Sequence, residues 1–277
     1  MPESIWEVFV IEFARSRNQP VDSLVQGAHD AGTIDLPFSF ILARSGGRVI
    51  LVDTGFMNEG IGAEMSAKFD IPYWVSPLRM LDELGVKPED VSDIVLSHAH
   101  FDHMGSVSKF PNAHLHIQKR EWLSWMEAMA LPSQFGFLTL AINPDDLRAG
   151  FDASVEHRLT LIDGDSDNIL PGIHVRCGEG HTLGQQFVII ESQRGRLVIS
   201  GDCVYSATNL KGHRNDGVYV PLAFGVGSIW EQLKTMDRLN ADIEGDMSRL
   251  IILHDNDRWA NLPVHCEIEG FKILKAG

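Results

Sequence analysis

The sequence predicts a mixed α/β fold of sheets covered by helices, and three features of the 277-residue chain predict it. Short β-branched runs, Val49 to Val52 and Ile251 to Leu253 among them, have the length and apolarity of strands buried on both faces. Helix-like segments alternate with these runs along the whole length, as in sheets flanked by helices. No fixed-period repeat, low-complexity tract or Pro/Gly/Ser linker divides the chain, and 44% hydrophobic content is enough to bury a core. The expectation is one globular domain over residues 1–277.

In chain order, "RVILVDTG" reads as a strand delivering Asp53 at its end, and "SPLRMLDELG" as a helix stopped by Gly85. "DIVLSHAHFDH" is a strand running into His98, His100, Asp102 and His103. "REWLSWMEAMALPSQFGFLTLAINPDDL" follows as an insertion-like stretch at about 119–150, rich in Trp122, Trp125, Met126, Met129, Phe135 and Phe137. Its composition suits a helical pair packed on the core, a lid over an apolar pocket, or an interface in a homodimer, so oligomeric state stays open. "GEGHTLGQ" sets His181 in a Gly-flanked loop before the strand "FVII", and "SQRGRL" reads as a hairpin turn into "LVIS". "RLVISGD" delivers Asp202. "SIWEQLKTMDRLN" is helical, with Ile229, Leu233 and Met236 on one face, and "RLIILHD" delivers His254 at another strand end.

Charge and cysteine usage exclude some function classes. A formal net charge of -15, with no Lys/Arg run to offset it, repels a phosphate backbone, so nucleic acid is not an expected partner. No apolar run is long enough to span a membrane, and "MPESIWEVFVIEF" has no basic leader region, so a cytoplasmic location is expected. Three cysteines, Cys177, Cys203 and Cys266, lack CxxC spacing and suit a reducing compartment, where they read as small buried hydrophobes.

The H-x-H-x-D-H pattern from His98 to His103 carries the chemistry. In a strand-to-helix turn, side chains 98 and 100 point to one side while 102 and 103 reach another, which supplies two pairs of donors and suits two metals. Imidazole with carboxylate favours Zn2+, and ligand type alone also admits iron, manganese or cobalt. His181, Asp202 and His254, each in a loop or at a strand end, extend the donor set, and a carboxylate at Asp202 could bridge two cations.

In these motifs the chain resembles the metallo-β-lactamase superfamily, from about "ILVDTG" to "LHD". The resemblance implies an αβ/βα sandwich of two mixed β-sheets flanked by helices. It places one metal on His98, His100 and His181, the other on Asp102, His103 and His254, with Asp202 between them. Asp53 would orient a ligand histidine by a hydrogen bond. One departure is Gln185, where the family's G-H-T-x-G-H has a second histidine, a position outside the ligand set.

Superfamily membership does not choose a chemistry, whereas site residues narrow it. His100 stands where flavodiiron members have Glu, the acidic balance opposes the nuclease branches, and a secreted penicillin-destroying member would carry a signal peptide and lack Asp202. Tyr205, three residues beyond Asp202, and Phe101 inside "HAHFDH" resemble the N-acyl homoserine lactonases and 4-pyridoxolactonases. There the tyrosine hydrogen-bonds the substrate carbonyl and the phenylalanine lines the pocket. The resemblance therefore implies a dinuclear metal hydrolase that opens a lactone; by charge, two divalent ions would supply a bridging hydroxide to attack the ring carbonyl, and Asp102, with a spare carboxylate oxygen, could pass the proton to the leaving alkoxide, with no organic cofactor. A hydroxyacylglutathione-type thioesterase and a cyclic amide or imide hydrolase are the alternatives. The former continues into a basic helical region, whereas the 277-residue chain has 23 residues after His254. A structural zinc protein without turnover would close its site with four protein ligands. For substrate contacts, "GAHDAGTIDLPFSF" could form a pocket wall, and His213 and Arg214 on a loop could meet a carboxylate or stay solvated.

Overall fold

The structure is a computed structural model that describes residues 5–277, the side chains of 256 and 258 excepted; the first four residues of the amino-terminal segment lie outside the described residues. The strands are β1 (Glu7–Pro20), β2 (Thr33–Ser45), β3 (Arg48–Val52), β4 (Tyr73–Trp74), β5 (Val91–Val95), β6 (His114–Gln118), β7 (Leu159–Ile162), β8 (Ser166–Leu170), β9 (Ile173–Cys177), β10 (Gln186–Ser192), β11 (Gly195–Ile199), β12 (Leu250–Ile251), β13 (Val264–Ile268) and β14 (Phe271–Lys275). The helices are α1 (Val21–Leu24), α2 (Gly60–Lys68), α3 (Pro77–Glu83), α4 (Phe101–Met104), α5 (Lys119–Met129), α6 (Pro144–Val155), α7 (Ala207–Lys211), α8 (Ile229–Asp242) and α9 (Asn256–Trp259).

The strands form two mixed sheets, ordered β13-β14-β1-β2-β3-β5-β6-β7, with β4 beside β1, and β12-β11-β10-β9-β8. Antiparallel β2 and β3 place Ile41 opposite Val52, and parallel β3 and β5 place Val52 opposite Val95. In the second sheet β10 and β11 are the hairpin expected around "SQRGRL", with Val188 opposite Ile199. Alternation explains why the β-branched runs are apolar throughout. Val8, Val10, Ile50 and Val52 meet Val188, Ile190 and Ile199 between the sheets. Phe9, Ile11, Leu42 and Leu51, on the opposite face, belong to the core that α3 completes with Met80 and Leu81. This is the αβ/βα sandwich.

Two local expectations need correction. Helix α8 begins with a Ser228 and Glu231 capping box, as its sequence suggests, but it buries Gln232, Thr235, Met236 and Leu239, and Ile229 is exposed. The buried stripe is rotated because Gln232 and Thr235 serve the loop beneath: Gln232 Nε2 donates to Gly180 O at 3.2 Å and Thr235 Oγ1 to Glu179 O at 2.7 Å. Helix α6 also runs past the expected end of the insertion, to Val155. Of the cysteines, which are all free, Cys203 is buried and the other two are half-buried. Among the described residues no helix is long and apolar enough to cross a membrane.

Candidate metal centre

The functional side chains gather where strand ends meet between the sheets. β3 is followed by Asp53, which holds φ 61°, a left-handed conformation that turns the chain sharply after Val52. β5 runs into Ser97 and His98. His100 then keeps an extended backbone as the N-cap of α4, whose first turn carries Asp102 and His103. The extended-to-helical change separates the pairs 98/100 and 102/103. His181 comes from the β9–β10 loop, Asp202 from the end of β11 and His254 from the segment after β12.

The structure brings all seven predicted donors together in two buried groups: His98, His100, His181 and Asp202, and Asp102, His103 and His254. In the first, His100 Nδ1 lies 3.0 Å from His181 Nε2, and Asp202 Oδ2 lies 3.2 Å from His181 Nε2 and 3.8 Å from His98 Nε2. In the second, His103 Nε2 is 3.1 Å from Asp102 Oδ2, and Asp202 Oδ1 is 3.2 Å from both His103 Nε2 and His254 Nε2. Asp202 thus turns one oxygen to each group. Bonds of about 2.0–2.1 Å in a tetrahedral site put ligand atoms roughly 3.3 Å apart, so these separations fit donors converging on cations. A hydrogen-bonded network fits less well. His98 Nε2 is buried without a hydrogen-bond partner among the described residues, and so is Asp202 Oδ1 despite two nitrogens at 3.2 Å.

Charge supports the same fit. Burial, with His103 and His100 nearby, holds His98 well below the usual histidine pKa; burial and His181 lower His100 to about 3, and burial lowers His181. These imidazoles are neutral, the form that binds metal. Burial opposes charge on His103 and His254 too, yet Asp202 and Asp102 raise both. Although burial would raise it, His103, His254 and His181 hold Asp202 well below the carboxylate range. Against its burial, His103 and His254 likewise lower Asp102, so two ionised carboxylates, Asp102 and Asp202, face the donor groups.

The back of each group is braced. Asp53 Oδ2 accepts from His103 Nδ1 at 2.8 Å and from Ser97 Oγ at 2.8 Å, while Oδ1 accepts from Ser97 N at 2.7 Å. His254 Nδ1 donates to Pro37 O at 2.7 Å. A second carboxylate, which sequence reasoning missed, is Glu121, fully buried at the start of α5. Its signal was positional, because Glu121 shares the buried stripe of α5 with Trp122 and Trp125. Gln185 is buried, with its Nε2 donating to Cys203 Sγ at 3.0 Å, away from the donors.

A cavity of about 240 Å³ opens onto His100, Asp102, His181, Asp202 and His254. Tyr205 lines it, stacked on His254 at 4.9 Å with its hydroxyl donating to Asp202 Oδ2. Burial, then Asp202 and Asp102, push the phenol well above its ordinary pKa, so it stays protonated and acts as a donor. Phe101 also lines the cavity, stacked on Phe69 at 5.3 Å. Leu36 and Phe38, from the "TIDLPFSF" strand, form part of the wall, joined by Ser16 and Gln19 from β1. The insertion divides in two. Trp122 and Trp125 are buried core, while Met129, Phe135 and Phe137 are exposed, and of the six Trp, Met and Phe residues named from sequence only Phe137 reaches the cavity. His213 and Arg214 are exposed and away from it, with His213 Nε2 against Gln26 O at 2.9 Å.

Fold and donor set together define a class: the chain belongs to the metallo-β-lactamase superfamily, whose family model matches residues 34–244. Among its relatives, the N-acyl homoserine lactonase AiiB of Agrobacterium fabrum is 27% identical over 244 residues, 83% of each chain. An N-acyl homoserine lactonase of Bacillus cereus is 28% identical over 188 residues, 64% of this chain and 68% of the other. The fold is shared with a solved quorum-quenching N-acyl homoserine lactone lactonase, at TM-score 0.73 and 19% identity over 97% of this chain and 98% of that one. It is shared too with the dizinc quorum-quenching lactonase AidC, at TM-score 0.69 and 20% identity over 99% and 95%.

Proposed function

We propose that this chain is a cytoplasmic dizinc lactonase, acting on a small-molecule lactone through one domain, residues 1–277, in which the exposed part of the 119–150 insertion forms a lid. The observation that carries the reading is the position of Asp202, one oxygen facing each donor group, at the floor of an apolar cavity beside the Tyr205 hydroxyl. The lactonases among its relatives support the substrate class.

His98, His100 and His181 would hold one ion and Asp102, His103 and His254 the other, with Asp202 shared. Two divalent cations, when bound, supply a hydroxide nucleophile near neutral pH and polarise the carbonyl it attacks. The chain's own residues do the rest. Tyr205, protonated throughout the working range, turns its hydroxyl from Asp202 to the substrate carbonyl and stabilises the charge that develops there. Asp102 directs Oδ2 at His103 and His254 and lines the cavity, so its other oxygen takes the proton released on attack and hands it to the leaving alkoxide. Phe101, Phe38, Leu36 and Phe137 exclude water and receive an apolar substituent. Ser16, whose hydroxyl is buried without a hydrogen-bond partner among the described residues, is a polar point on that wall.

The test is metal analysis beside a pH-indicator assay on an N-acyl homoserine lactone, an aromatic γ-lactone, a cyclic imide and a glutathione thioester. Two zinc equivalents with proton release on a lactone are expected. Turnover confined to the thioester or imide would overturn the lactone assignment, and a single ion without turnover would overturn the enzyme.

A further inference from the structure

Glu121 is a fully buried carboxylate on the insertion, outside the donor set, and four donors surround it. Its Oε1 accepts from Ala99 N at 3.0 Å and Trp125 Nε1 at 2.6 Å; its Oε2 accepts from Thr182 Oγ1 at 2.6 Å and Gly184 N at 3.0 Å. Ala99 sits between His98 and His100, and Thr182 follows His181. One side chain thus joins the two loops that carry all three histidines of the first group. Trp125, oriented by the same carboxylate, lies against His100 with ring centroids 5.8 Å apart. The two backbones approach so closely that a Cβ on Gly184 would stand 2.1 Å from Glu121 N, which only glycine permits. Burial pushes the Glu121 carboxyl up, and the bonds from Thr182, Trp125, Ala99 and Gly184 oppose that rise.

Taking the two-ion reading above as its basis, we propose that Glu121 is a positioning residue specific to the ion held by His98, His100 and His181. It does for that group what Asp53 does for His103, with one difference: Asp53 bonds a ring nitrogen directly, whereas Glu121 fixes the loop backbones from which the rings project. Replacing it with glutamine keeps the shape and substitutes an amide donor for one acceptor oxygen, setting N–H against N–H in a buried site. The loops separate and the first ion loosens, while Asp53, His103 and His254 stay in place.

The experiment titrates Co²⁺ into metal-free wild type, Glu121→Gln and His98→Ala, read by calorimetry and by visible d–d absorption, with circular dichroism to verify folding. Wild type is expected to take two ions. Glu121→Gln is expected to hold one at wild-type affinity and the other about 10–100-fold more weakly. The spectrum of its retained ion should match that of His98→Ala, which keeps the second group. Two ions bound as in wild type, or both weakened equally, would overturn the proposal. Should Glu121→Gln fail to fold, Thr182→Val is read instead, because it cuts one tie and leaves the carboxylate; a several-fold loss at the same ion supports the role, and unchanged affinity refutes it. A wild type that takes a single ion fails the two-ion reading, and Glu121 is then judged by whether its replacement weakens that ion. Wild type binding none refutes both.

Discussion

The two halves of the donor cluster are anchored in different parts of the molecule. His103 and His254 are held by the sandwich, through Asp53 at the end of β3 and Pro37 O in β2. His100 and His181 depend on α5, because Glu121 and Trp125 grip the loops that carry them, while His98 is tied to both sides, to Glu121 through Ala99 N and to Asp53 through Ser97 Oγ, 3.0 Å from its Nδ1. One half is thus braced by the strands alone, the other by a helix of the insertion with one tie back to Asp53 at His98. The difference shows that a donor set continuous in space need not have one foundation, and that second contacts reveal which foundation each donor uses.

The largest effect should come from removing what the halves share. Asp202→Ala is expected to lower lactone turnover by on the order of 10³-fold or more and to reduce bound zinc below two equivalents, measured by initial rates and elemental analysis. Retention of two ions at wild-type affinity would break the idea of a joint centre. Asp53→Asn sharpens the contrast. It should weaken the ion on His103 and His254 by about 10–100-fold and the ion that His98→Ala removes by less, through the Ser97 tie to His98, the reverse of the order expected for Glu121→Gln, in the same cobalt titration. Tyr205→Phe touches neither foundation; kcat should fall about 10²-fold with metal content unchanged, and a loss of metal instead would make Tyr205 a support for Asp202.

The smallest effect concerns the insertion alone. Burial and the charge of Asp145 raise Asp146, near the start of α6, to about 7, and its Oδ2 is buried without a partner among the described residues. A carboxyl raised in the folded state stabilises fully below its unfolded pKa, and that contribution is lost as pH rises through the folded value. Between about pH 4 and 7 the insertion therefore loses stability. Asp146→Asn should flatten the fall of Tm over that window by a few degrees, and parallel Tm curves for variant and wild type would show that Asp146 does not titrate there.

Much of this was legible in the sequence because strands end where chemistry begins. Four β-branched runs each finish in a donor or in Asp53, and their apolarity on both faces reflects cores above and below. Glu121, Gln232 and Thr235 were not read, for a shared reason: each is a polar residue in the buried stripe of an amphipathic helix, satisfied by backbone groups of a distant loop. Local pattern assigns such residues to solvent, and only the loop's position, set by tertiary packing, reveals the partner. Ile229 shares a face with Leu233 and Met236 in the sequence pattern yet is exposed, because hydropathy alone cannot register a stripe rotated to serve those polar contacts.

The division of the insertion into a buried helix and an exposed 3-10 segment, Ser133–Thr139, has an engineering consequence. Residues 131–140 reach the cavity through Phe137, Leu138 and Leu140 yet lie outside the bonds around Glu121. Exchanging that segment as a cassette, with α5 and α6 left as its sockets, is expected to change the cavity wall and leave the donor groups in place. Excising the whole insertion to widen the entrance removes Glu121 with it.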